Sequence, residues 1–189
     1  MSADPEIETP RLLLRPPRIE DFDAWAALLA DPEASHFIGG PVPRALAWRG
    51  LMAMAGAWHL QGFAMFSVIE KASGRWIGRL GPWKPEGWPG TEIGWGLARD
   101  SWGRGYATEG ASAAMEWAFR TLGWSEAIHS ISPDNYASQA VARRLGSRLR
   151  GAGRLPPPFE DSAVEIWGQT RAEWLARAAA GCGTSHPDS

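Results

Sequence analysis

Residues 91–122 read TEIGWGLARDSWGRGYATEGASAAMEWAFRTL, and the rest of the chain is organised around them. Glu92 to Ala98 alternates apolar and small residues, the pattern of a strand. Arg99-Asp100-Ser101 is a polar turn, and Trp102-Gly103-Arg104-Gly105-Tyr106-Ala107-Thr108 opens a helix. In that helix Ala107, Ala111, Ala114, Met115, Ala118, Phe119 and Leu122 fall at spacings of three and four and share one face. Thr108, Glu109, Ser112, Glu116 and Arg120 take the other. A strand that ends in a glycine loop and runs into a helix start suits a phosphate. The first helical N–H groups have no intrahelical partner, and the helix dipole is positive there. Glycine lets such a backbone approach a pyrophosphate with no Cβ in the way. No Lys-Ser or Lys-Thr pair follows the glycines, and G-x-G-x-x-G is absent, so neither standard nucleotide fingerprint is met. On Gly103 and Gly105 alone, a tight structural turn is an equally good reading.

Outward from this stretch the chain alternates strands and helices. Thr9 to Arg15 reads as a first strand, stopped by Pro16-Pro17. Ile19 to Leu29 is an amphipathic helix with Phe22, Trp25, Ala26 and Leu29 as its stripe, and Asp31-Pro32 ends it. His36 to Pro43 is a loop, and a second helix runs from Arg44 to about Leu60. Phe63 to Glu70 and Arg75 to Gly81 form a hairpin across Lys71-Ala72-Ser73-Gly74. Pro82 to Gly90 is a Pro/Gly-rich connection to the central strand. Beyond the long helix come a strand at Glu126–Ser132, a helix at Tyr136–Leu145 with Asn135 as N-cap and Gly146 at its end, and a strand at Arg148–Leu155. A strand at Ala163–Thr170 closes the sheet, with a last helix from Arg171 to Ala180. The order is that of an α/β domain. A single domain is expected over residues 1–178, with 179–189 a flexible tail.

Composition excludes several function classes. A formal net charge of −2 gives no electrostatic case for nucleic acid or an anionic membrane surface. No apolar run is long enough to span a bilayer, and the acidic opening MSADPEIETP is no signal peptide. The lone Cys182 allows no intrachain disulfide, and a cytoplasmic protein is the simplest expectation. No Cys/His cluster points to a metal. Twelve tryptophans are many for this length; they could line a broad apolar acceptor site or fill the core, and core filling is the expected role of most.

The run from Trp102 to Glu109 resembles the acyl-CoA loop of the GNAT superfamily of N-acetyltransferases, whose pattern is Gln/Arg-x-x-Gly-x-Gly/Ala. Gly105 and Ala107 match its last two positions, and Trp102 stands where Gln or Arg is usual. Trp-Gly-x-Gly-Tyr-Ala-Thr-Glu is similar to the branch of ribosomal-protein N-terminal (Rim-type) acetyltransferases. Three further matches occur in the family order: the opening Thr9–Arg15, the approach Gly87–Trp95, and Pro133-Asp134-Asn135-Tyr136-Ala137-Ser138 with Leu145-Gly146. The resemblance covers about Glu8 to Thr170. It implies a GNAT fold: a mixed, mostly antiparallel twisted sheet, splayed at the central strand, with helices on both faces.

The same resemblance implies a co-substrate, acetyl-CoA, and its contacts. The diphosphate suits the N–H groups of Trp102, Gly103, Arg104, Gly105, Tyr106, Ala107 and Thr108. The pantetheine arm is expected to pair like an added strand with the backbone of Gly96, Leu97 and Ala98. A backbone N–H near Leu97 would meet the oxyanion. Glu92 is the candidate proton acceptor, through water, against the plainer reading of an ion-paired strand residue; His129 is second, against a structural histidine. Many family members place a Tyr acid seven residues after the Asn, but here that position is Ala142. Ser138 is expected near the sulfur, against the plainer reading of a first-turn serine. Asn135 can bind the pantetheine, cap its helix, or both. Arg143 and Arg144 could reach the adenosine phosphate or simply be solvated, with Arg144 the candidate carried forward.

The acceptor is expected where Phe37–Trp58, Pro82–Gly90 and Leu155–Phe159 meet. These segments are aromatic and proline-rich rather than acidic, which favours a protein N-terminus or a small hydrophobic amine over a polycation. Three functions stay open: an acetyl-CoA:amine N-acetyltransferase, a non-catalytic acyl-CoA-binding module, and a binder of another diphosphate nucleotide. The expected partners are acetyl-CoA and an amine, with no nucleic acid and no membrane, in a monomer or homodimer.

Overall fold

The computed structural model describes residues 5–182. Among them eight strands form one sheet: β1 (Ile7–Glu8), β2 (Leu12–Arg15), β3 (Phe66–Glu70), β4 (Trp76–Trp83), β5 (Glu92–Leu97), β6 (Glu126–Ile131), β7 (Arg148–Gly153) and β8 (Val164–Thr170). Their spatial order is β1-β2-β3-β4-β5-β6-β8-β7. Every pair is antiparallel except β5–β6, which is parallel and in register at Glu92↔Ile128 alone. Past that point the two central strands diverge, so the sheet is splayed as expected.

Six helices accompany it: α1 (Phe22–Ala30), the single turn α2 (Pro32–Ser35), α3 (Arg44–Gln61), α4 (Tyr106–Arg120), α5 (Tyr136–Leu145) and α6 (Arg171–Cys182). The apolar stripe of α4 packs Ala111, Ala114, Met115, Ala118 and Phe119 onto the face that carries Ile93 and Leu97. Gly110 makes this approach close, since a Cβ there would lie 2.5 Å from Leu80 Cδ2. On the opposite face α1 and α3 bury Trp25, Leu28, Leu51 and Met54 against Met65, Trp76 and Trp83. Side chains alternate across a strand, so Glu92, Gly94 and Gly96 of β5 point to this second face.

Several boundaries differ from the sequence expectation. β1 precedes the expected first strand, pairing Ile7 with Leu14. Asp31-Pro32 does end α1, but Pro32 also starts α2, because the Asp31 carboxylate caps the N–H groups of Glu33 and Ala34. β4 runs through Pro82 to Trp83 rather than stopping at Gly81. Pro82 costs no ladder bond there: its nitrogen faces the β3 side, and β3 begins only opposite Leu80. The helix α4 starts at Tyr106, inside the Trp102–Thr108 run expected to open it, because Gly103 and Gly105 take left-handed φ and hold the chain out of the helix until then. The last helix reaches Cys182; the rest of the expected tail, 183–189, lies outside the described residues.

Candidate active site

The loop between β5 and α4 is built to expose N–H groups. Gly103 and Gly105 sit at φ +71° and +80°, where a side chain is strained. Trp102 N–H donates to the Arg99 carbonyl at 3.2 Å, and the next backbone bond is Glu109 N–H to the Gly105 carbonyl at 3.0 Å. Among the described residues no protein acceptor meets the N–H groups of Gly103, Arg104, Gly105, Tyr106, Ala107 and Thr108, and Gly105 supplies no side-chain cap. A Cβ on Gly103 would touch nothing within 4 Å. Six amides at a helix N-terminus with open space before them fit an anionic diphosphate. Trp102 drops out of the expected set by its backbone, because its amide is already used.

Two polar clusters hold this loop. Glu109 in the first turn of α4 accepts from Thr9 Oγ1 at 2.7 Å, Arg11 N at 2.9 Å and Arg11 Nε at 2.6 Å, while Arg11 Nη1 donates to the Arg104 carbonyl at 2.9 Å. Glu70 accepts from Tyr106 Oη at 2.6 Å and pairs with Arg104 at 3.1 Å. The Tyr106 ring is buried between the guanidinium groups of Arg11 and Arg104. So Arg104 and Tyr106 face the loop with their amides, while their side chains brace it from behind.

Beside the loop, β5 has one edge without a strand. Ala98 N–H donates to the Ile77 carbonyl, which sets the alternation of the β4 ladder: Gly96 and Ala98 turn their polar groups to β4. The backbone of Gly96 and Ala98 is thus turned to β4, and of the three residues expected beside a pantetheine arm only Leu97 turns its polar groups to the gap. Ile93, Trp95 and Leu97 are the residues whose N–H and C=O groups face the gap. The sequence could not fix this parity, which depends on β4.

Side chains prop the gap open. A regular parallel ladder would next join Ser130 N–H to the Ile93 carbonyl. Instead His129 Nδ1 meets that carbonyl at 2.7 Å, and His129 Nε2 meets Ser147 Oγ at 2.9 Å. The ring carries its hydrogen on Nδ1, the nitrogen facing a carbonyl. Burial, opposed by the bond to Ile93, drives its pKa down to about 4. With both nitrogens engaged and no charge at neutral pH, His129 is a prop rather than a proton carrier. The Trp95 ring packs on it at 4.9 Å between centroids and donates from Nε1 to Ser138 Oγ at 3.1 Å. Trp102 Nε1 covers the Leu97 carbonyl at 2.8 Å.

Glu92 sits where the central strands part, with the side chain buried. Its Oε2 accepts from Trp88 Nε1 at 2.6 Å and Ser130 Oγ at 2.7 Å. Burial raises its pKa to about 7, against these bonds and a further one from Ser130 N–H. A carboxyl that titrates near neutrality can take and release a proton at working pH. Trp88 and Ser130 escaped the sequence reading, although Trp88 lies only four residues before Glu92.

Asn135 Oδ1 accepts from Ser138 N–H at 3.0 Å, which makes it the cap of α5 and leaves its amide group available. Ser138 is half-buried at the gap, beside Trp95. Ala142 is fully buried in a cluster with Ile131 and Trp167, against which Trp95 packs. Arg143 lies over the Trp167 ring at 4.8 Å, whereas the Arg144 side chain is exposed. Among the described residues no group of three or more His, Cys, Asp or Glu could hold a metal ion, and no helix is long and apolar enough to cross a membrane.

A family model described as an acetyltransferase (GNAT) domain matches residues 11–148. A solved acetyltransferase from Agrobacterium tumefaciens is 31% identical, with a TM-score of 0.77 over 90% of this chain and 97% of that one. A GNAT-family acetyltransferase from Bacillus anthracis is 22% identical at a TM-score of 0.71, covering 87% and 96% of the two chains. The ribosomal-protein-S5-alanine acetyltransferase of Vibrio fischeri shares the fold at 15% identity and a TM-score of 0.70, over 90% and 99%.

Proposed function

The chain belongs to the GNAT acetyltransferase family, and from that premise we propose that it moves the acetyl group of acetyl-CoA directly onto a primary amine, a protein N-terminus or a small molecule. The observation that carries this reading is the run of six acceptor-free amides from Gly103 to Thr108, set beside the open edge of β5. The amides bind the diphosphate. The N–H groups of Trp95 and Leu97 pair with the pantetheine arm and meet the developing oxyanion. Asn135 and Arg144 serve the carrier further out, through the free amide group of Asn135 and the exposed guanidinium of Arg144.

Glu92 serves as base. The amine arrives as an ammonium and loses a proton through water to the Glu92 carboxylate, which burial holds at a pKa of about 7. Its lone pair then attacks the thioester carbon. As the new C–N bond forms, the C–S bond breaks and the thiolate leaves. Ser138 Oγ accepts from the Trp95 indole, so its own hydrogen is available to the departing sulfur. As the amide forms, the nitrogen sheds its second proton, which balances the one the thiolate finally gains, and the proton first taken by Glu92 returns to water. A cytoplasmic place of work, in a monomer or homodimer, goes with this proposal.

Calorimetric titration with acetyl-CoA, followed by free-thiol release over a panel of peptides and small amines, tests it. Binding with turnover of at least one amine supports the transferase. Binding with no turnover favours a non-catalytic acyl-CoA module, a reading kept open by Ala142 at the position of the family's usual tyrosine.

A further inference from the structure

One cation on the acceptor side has no counter-ion. Arg79 of β4 lies directly opposite Gly96, on the face that also carries Glu92. A lateral row crosses the sheet there, Arg15–Ser67–Arg79–Gly96. Arg15 holds Asp21 in a two-pronged pair at 2.7 and 2.8 Å, and Asp21 also takes Ser67 Oγ and Arg18 N–H. That carboxylate is saturated. Arg79 makes no hydrogen bond and no ion pair among the described residues; its guanidinium lies over the Trp25 ring, 5.0 Å from the centroid. The residue is only half-buried, yet its side chain is withdrawn far enough from water that burial pulls its pKa down to about 10. It remains a cation at neutral pH.

Charges removed from water are normally paired, because the loss of hydration is otherwise uncompensated. Stacking on an indole returns part of that loss and leaves the N–H edge of the guanidinium unused. Between Arg79 and Glu92, β5 presents only Gly94 and Gly96 on this face. Met65 Cε and Ile38 Cδ1 reach over these two glycines. The rows of Arg79 and Glu92 are four residues apart along β5, roughly 13 Å. That separation is of the order of a short extended peptide.

We infer that Arg79 binds a carboxylate of the acceptor, so that the preferred amine belongs to a molecule that also carries a carboxylate. The inference rests on the proposed acetyl transfer and names its substrate class. The carboxylate has two possible sources: the C-terminus of a small amino-carboxylate, or an acidic side chain near a peptide N-terminus.

The test uses matched acceptors and two variants. Dipeptide Ser-Ala is compared with its C-terminal amide, and the peptide amide Ser-Glu-Ala with Ser-Gln-Ala. For the wild type, at least one carboxylate member should exceed its amide by about tenfold or more in kcat/KM, the range of a charged hydrogen bond. Arg79→Gln should bring that ratio near one through KM, leaving the KM for acetyl-CoA unchanged. Arg79→Lys should restore part of it. Which pair responds identifies the source. Arg79→Gln should melt no lower than the wild type, since it removes a half-buried charge that has no counter-ion; a structural role would lower Tm in both variants. Binding of N-acetyl-Ser-Ala, followed calorimetrically, reads the site without any chemistry, with N-acetyl-Ser-Glu-Ala amide for the side-chain source. Carboxylate-dependent binding lost in Arg79→Gln, with no acetyl transfer, would sink the transferase reading and keep the site. Equal binding and turnover of acids and amides by the wild type, or a preference that survives Arg79→Gln, would overturn the inference.

Discussion

Replacing Glu92 by Gln should raise stability and lower turnover, both along the same titration curve. Glu92 carries its proton up to a pH of about 7 in the folded protein, against 4.5 when exposed. Its folded pKa is raised, so its contribution to stability is complete below the unfolded value and is lost as pH climbs through the folded one. At roughly 1.36 kcal/mol per pKa unit the full loss is about 3 kcal/mol. About 2 kcal/mol of it falls between roughly pH 5.5 and pH 8.5 by the same linkage. Glutamine keeps an oxygen for Trp88 Nε1 and Ser130 Oγ and never ionises. Urea unfolding of both proteins at those two pH values should therefore show the variant gaining about 2 kcal/mol on the wild type at the higher pH. His129 acts in the other direction: with its pKa lowered to about 4, its contribution is complete above the unfolded value and fades as pH falls through the folded one. Taking the difference between variant and wild type cancels it. Turnover by the wild type should rise with pH through about 7, while the variant should be about a hundredfold slower or worse, with acetyl-CoA affinity unchanged. A variant whose stability follows the wild-type pH slope would refute the shifted carboxyl. Full activity in the variant would remove Glu92 as base.

Three further substitutions probe the rest of the site. Gly105→Glu puts a charged side chain at φ +80° beside the six amides and should weaken acetyl-CoA binding by about a hundredfold, as calorimetry would read; unchanged affinity would count against the loop. His129→Phe strips the Ile93 carbonyl and Ser147 of their partner and should cost about 3 kcal/mol in urea unfolding at neutral pH. A loss confined to turnover would point to a chemical role instead. Ser138→Ala should slow turnover by about tenfold with little change in acetyl-CoA affinity, consistent with one lost hydrogen bond to the sulfur; an unaltered rate would leave Ser138 as the acceptor for Trp95 and no more.

Much of this was legible in the residues themselves, for physical reasons. α4 and α5 announce themselves by the 3.6 period, and α5 also by the Asn135 cap and Gly146 in the left-handed region. The open amides before α4 are a local object, marked by two glycines ahead of a helix, although the glycines alone fit a plain turn equally well. What stayed hidden depends on distant partners. Which of the residues Trp95 to Ala98 face the gap follows from the register with β4. The Glu109 clamp joins Thr9 and Arg11 across about a hundred positions, and no local pattern marks it. The neutral state of His129 follows from burial between β5 and Ser147, which a lone histidine in a strand does not reveal. The run of β4 through Pro82 hides behind a residue that usually ends strands.

A sheet whose halves pair by backbone register at one position, and elsewhere by the side chains of His129, Ser130 and Thr91, has its weakest seam in the middle of its core. The amides of Trp95 and Leu97 should trade deuterium with solvent faster than those of strands nearer the rim, inverting the usual gradient from frayed border to slow interior. Any carrier that stitches itself along β5 would bind by mending the sheet rather than by covering a surface. Its occupancy would then be legible as slowed exchange at two residues, before a single turnover is measured.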